Sequence, residues 1–85
     1  DRDMTTAKQA TDGALRGKGC LGRCAPDEPV FVLRAQDRCA AATVRQWAAA
    51  AQHVGAPREK VVQALDDADA MDAWREAHGG GKVPD

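Results

Sequence analysis

Gly55-Ala56-Pro57 is the stretch that most constrains this chain, because it separates two runs with the period of a helix. In the first run Val44, Trp47, Ala48, Ala51 and Val54 recur at helical spacing, while Arg45, Gln46, Ala49 and Gln52 lie off that stripe. In the second, Val61, Ala64, Leu65, Ala68 and Met71 form the stripe, with Trp74 at its edge. Glycine is the usual helix stop, and proline suits a first helical turn, where its missing N–H is not needed. The spacing predicts helices over about 40–54 and 57–78, joined by a connection so short that they are antiparallel neighbours. The small side chains of Ala48, Ala51, Ala64 and Ala68 let them approach closely. Gly79-Gly80-Gly81 ends the second helix, and residues 79–85 are expected as a flexible tail.

Upstream of this hairpin, the segment "PDEPVFVLRAQD" (residues 26–37) has a different character. Its centre is apolar and rich in strand formers, with Pro29 at the start, where a missing donor does least harm. Val30 and Val32 would face one way with Arg34, and Phe31 and Leu33 the other with Ala35. The expected fold class is therefore α+β, mostly helical, with a short β-strand near 30–34 packed on the antiparallel hairpin. One strand cannot satisfy its own backbone groups. It must pair with the 14–25 region, with the same strand of a second subunit, or with a partner's sheet edge. Arg34, Gln36, Asp37 and Arg38 emerge from it as a dense polar run. Arg34 can lock the fold by pairing with Asp37 or an acid of the second long helix, or the four can form a recognition site.

The N-terminal third is less regular. Residues 1–12 are polar and expected to be frayed, with a short helix around Thr6 to Arg16 weakened by Gly13. "GKGCLG" at 17–22 matches GxGxxG, yet no strand precedes it and Pro26 arrives before a long helix can develop, so a dinucleotide site is rejected. Its loop amides, flanked by Arg16, Lys18 and Arg23, remain an alternative anion-binding nest beside the plainer reading as a loop.

Composition narrows the function. Eighty-five residues are read as a single domain, 1–85, and much of its hydrophobic share of 44% is alanine; the large apolar side chains are one Phe, two Trp and a scattering of Val, Leu and Met. A core that thin commonly recruits a second copy, so a homo-oligomer is expected. The net charge of −1 argues against a protein acting on nucleic acid or an anionic membrane through its overall field. No apolar run has the length of a membrane span. Cys20 and Cys24 form one close pair, with Cys39, His53 and His78 scattered. Structural zinc usually takes two close pairs, so neither a metal nor a cofactor is expected. Asp66, Asp67, Asp69 and Asp72 lie in a helical segment without the turn glycine of a calcium loop. Asp69, Asp72 and Glu76 instead read as a solvated acidic stripe. With no Ser and no Tyr, and histidines at predicted helix ends, the chain is not expected to be an enzyme. Trp47 and Trp74 fit the helix stripes, and either is also an interface candidate.

The motif "DEPVFVLRAQD", followed by "ATVRQWA", "EKVVQALDDADAMDAW" and "KVPD", resembles small uncharacterised proteins encoded by phages and prophages. The resemblance spans residues 26–85 and implies a phage-associated accessory role, in the host cytoplasm or on the virion, without naming functional residues. The segment around Cys20 and Cys24 departs from it. The leading expectation is a non-enzymatic protein that binds a protein partner or self-assembles. The alternative is a binder of a phosphorylated metabolite or nucleotide that uses the glycine-rich loop with Arg34 and Arg38.

Overall fold

The computed structural model describes residues 6–84. Its residues group into two compact units, with the boundary in sequence between Val32 and Leu33. The first contains α1 (Ala7–Leu15) and the one-turn α2 (Gly19–Arg23); the second contains α3 (Ala40–His53) and α4 (Arg58–Ala77). Helices α1 and α2 pack together, as do α3 and α4.

Local chemistry sets the helix ends. Thr6 caps α1: its hydroxyl accepts from the Gln9 amide at 3.1 Å, and the Gln9 side chain accepts from the Thr6 amide at 3.0 Å. That reciprocal box gives a polar segment, expected to fray, a defined start from Thr6 onward. At the C-terminus of α3 the Gly55 amide donates to Gln52 and the Ala56 amide to Ala51, with Gly55 at φ +91°. This is the Schellman arrangement, in which a left-handed glycine turns the chain while two orphan carbonyls are satisfied. Helix α1 closes in the same way, through Gly17 and Lys18 donating to Ala14 and Gly13.

Alanine dominates the α3–α4 seam. Ala48, Ala51, Val61 and Ala64 form its buried cluster, with Val44 and Ala56 against it, and Ala40, Ala41 and Ala68 are buried as well. The four alanines expected to permit close approach are all inside. Close approach also makes the seam narrow. Trp47 sits about 100° round the helix from Ala48 and stays 50% exposed, and Leu65 is displaced from Ala64 in the same way. Val54, past the last turn of α3, is exposed too, so these three do not join the core as their spacing suggested.

No β-strand forms over 30–34, and the described residues contain no sheet, so the fold is mostly helical rather than α+β. Among the described residues the one bridge is parallel and isolated, between Asp37 and Lys82. The Lys82 amide donates to the Gln36 carbonyl at 2.8 Å, and the Arg38 amide donates to the Lys82 carbonyl at 2.9 Å. The segment expected as a tail is thus latched to the turn before α3. Gly79, Gly80 and Gly81 all have positive φ, which turns the chain back sharply enough for Lys82 to reach it.

Candidate functional site

Two hydrogen-bonded turns bracket the apolar linking segment. On its N-terminal side the Glu28 amide donates to the Ala25 carbonyl at 3.0 Å, and the Ala25 amide donates back to Glu28 Oε1 at 3.1 Å. On its C-terminal side the Asp37 amide donates to the Arg34 carbonyl at 2.9 Å. Between them, residues 29–33 make no backbone hydrogen bond with any described residue. Three of their apolar side chains are uncovered as well, with Phe31 86% exposed, Val32 70% and Val30 exposed beside them, while Leu33 is half-buried. The most strand-prone stretch of the chain is therefore unsatisfied in its backbone and largely uncovered in its side chains.

The polar run that follows does not lock the fold through an Arg34 ion pair among the described residues. Gln36 and Arg38 contribute their main chain to the Lys82 latch, on either side of Asp37. The side chains of Arg34 and Arg38 are exposed, and Arg34 pairs with no acid among the described residues.

The arginine that locks the hairpin is Arg45, which the sequence places off the buried stripe. Its guanidinium reaches from α3 to Asp69 at 2.9 Å and Asp72 at 2.6 Å on α4, and Asp72 also pairs with Arg75 at 2.9 Å. The hydrogen bond from Arg45, with the charges of Arg45 and Arg75, holds the Asp72 carboxyl below its usual range against an opposing desolvation penalty. The expected acidic stripe is in part an interhelical clamp. One signal was available: an antiparallel pair turning at Gly55 brings residue 45 level with the late sixties, where a carboxylate spaced three residues from the next can be shared.

Trp47 follows Arg45 by two residues and Trp74 follows Asp72 by two, about 200° round each helix. Both tryptophans therefore lie on the flank opposite the clamp. Trp74, 46% exposed, stacks on His78 with ring centroids 3.8 Å apart, and His78 Nδ1 donates to the Trp74 carbonyl at 2.7 Å. That nitrogen is accordingly protonated.

In the first unit the glycines serve packing. The Gly17 and Lys18 amides close α1, and a Cβ on Gly22 would stand 2.5 Å from the Gly17 carbonyl carbon. Two of the amides proposed for an anion nest are thereby used, leaving the exposed charges of Arg16, Lys18 and Arg23. Cys20, Cys24 and Cys39 are free thiols; Cys24 Sγ donates to the Cys20 carbonyl at 3.3 Å, and burial, aided by Glu28, pushes its pKa up. No group of three or more His, Cys, Asp or Glu among the described residues is placed to hold a metal ion. No described helix is long and apolar enough to cross a membrane.

The chain matches no family model, no curated protein and no solved structure.

Proposed function

We propose that this chain is a small non-enzymatic interaction protein whose linking segment, Val30-Phe31-Val32, engages another polypeptide. The observation that carries the reading is Phe31, 86% exposed within a stretch that makes no backbone hydrogen bond among the described residues. Strand addition would satisfy those N–H and C=O groups and cover the alternating side chains in one step. The Lys82 latch holds Gln36 and Arg38, a few residues downstream of the linking segment. Trp47 and Trp74 offer a second apolar contact on the hairpin flank. The resemblance of residues 26–85 to phage-encoded proteins favours an accessory role in an infected cell's cytoplasm or on the virion.

A photo-crosslinking residue in place of Phe31 tests this. Irradiation in cells is expected to join the chain to a polypeptide, its own or another. Crosslinking to none, at an expression level where the same probe at a helix-seam position reports folded protein, would sink the proposal.

A further inference from the structure

We infer that the occupant of the linking segment is a second copy of this chain, paired antiparallel about a two-fold axis at Phe31. The inference rests on the reading that this segment works by contact with a polypeptide, and it names which one.

Register favours this pairing. In an antiparallel pair centred on Phe31, residue numbers of facing partners sum to a constant, so Phe31 faces its own copy and Val30 faces Val32. The same register sets Glu28 opposite Arg34 at both ends of the ribbon. Opposite charges directly across a strand pair are favourable, and like charges are not. Both side chains are exposed, and Arg34 has no acidic partner among the described residues. Glu28 uses Oε1 for the Ala25 amide, which leaves its other oxygen for the arginine.

The missing donor of Pro29 fits the same arrangement. If Phe31 occupies a non-hydrogen-bonded position, Val30 and Val32 exchange N–H and C=O groups with their counterparts across the axis. Pro29 then faces Leu33 at another non-hydrogen-bonded position, where its missing N–H is of no consequence. Non-hydrogen-bonded positions also bring side chains closest, which suits Phe31 against Phe31. Centring on Val30 would set Asp27 against Leu33, and centring on Val32 would set Val30 against Arg34. Neither pairs the charges.

The test uses the full chain in analytical ultracentrifugation over a concentration series, with helical circular dichroism as the folding control. The wild type is expected to be a dimer. Glu28→Arg and Arg34→Glu are each expected to weaken it about tenfold or more, since each places like charges together at both ends. The double variant Glu28→Arg with Arg34→Glu is expected to recover wild-type affinity, an outcome that a merely local role of either residue would not produce. Single variants that dimerise as well as wild type, or a double variant no better than the singles, would overturn the register. A strict monomer at every concentration would overturn the second copy as occupant; if the Phe31 probe still crosslinked to a different protein, the broader reading would stand while this one fell.

Discussion

The stem of Arg75 lies over Gly81 so closely that a Cβ on the glycine would stand 2.8 Å from the arginine Cγ. The same Cβ would meet the Gln36 carbonyl oxygen at 3.1 Å. Arg75 is one of the better-covered charged side chains, 16% exposed, and its guanidinium reaches Asp72. The interhelical clamp, the last turn of α4 and the Lys82 latch are therefore mechanically continuous.

Substitution of Gly81 should show this. Gly81→Ala forces a left-handed alanine, costing about 1–2 kcal/mol, and also displaces the Arg75 stem. Gly55→Ala carries only the first cost, because nothing lies within 4 Å of a Cβ there. Thermal denaturation is expected to show the larger fall in melting temperature for Gly81→Ala, at roughly 4–8 °C for each kcal/mol. Equal falls would show that the Arg75 contact contributes nothing.

Acid should weaken the clamp. Asp72 is held below its usual range chiefly by the hydrogen bond from Arg45. A carboxylate with a depressed folded-state pKa contributes stability that is present above its unfolded value, near 3.9, and is lost as pH falls through the folded value. Melting curves from pH 7 downward are expected to show a loss below about pH 4 that is smaller in Asp72→Asn and in Arg45→Met. A variant with an undiminished acid dependence would place the effect elsewhere.

The alanine seam is expected to tolerate loss at its margin better than growth at its centre. Ala68 is fully buried, so Ala68→Leu should cost about 1–3 kcal/mol by overpacking. Trp47→Ala removes a side chain already half in water and should cost less than the roughly 3–5 kcal/mol typical of a buried Trp. Urea unfolding of both variants, at a concentration where the chain is monomeric, checks the ordering.

Hydrogen exchange should report the latch directly. The Arg38 amide donates to the Lys82 carbonyl, and a chain ending at Gly81 lacks that acceptor. Protection of the Arg38 amide is expected in the full chain and should drop in the truncated one, while the amides around Ala48 and Ala64 keep theirs. The truncation removes both latch bonds, at about 0.5–1.5 kcal/mol each, which leaves the hairpin folded.

The helices and their ends were legible in the sequence because the signals that make them are local. The period of Val44, Ala48 and Ala51, then Val61, Ala64 and Ala68, together with Gly55 and Pro57, placed α3 and α4 to within a residue or so of their bounds. The short helix expected around Thr6 to Arg16 forms as α1, and the Thr6–Gln9 capping box is a start signal that this expectation lacked.

Contacts between distant residues were decided by the tertiary structure. Which arginine would meet Asp72 depended on helix rotation, and Arg45 prevailed over Arg34 because α3 presents it beside α4. Whether "PVFVL" became a strand depended on a partner, since strand hydrogen bonds come from another segment and no described segment supplies them. A bridge formed instead at Asp37, where the positive-φ glycines return the chain to Gln36 and Arg38. Sequence alone determined where this protein is helical and where it wants to be extended, because backbone propensity and side-chain period act over a few residues. Only the fold decided that the extended stretch is left open, because pairing is a property of what lies across from it.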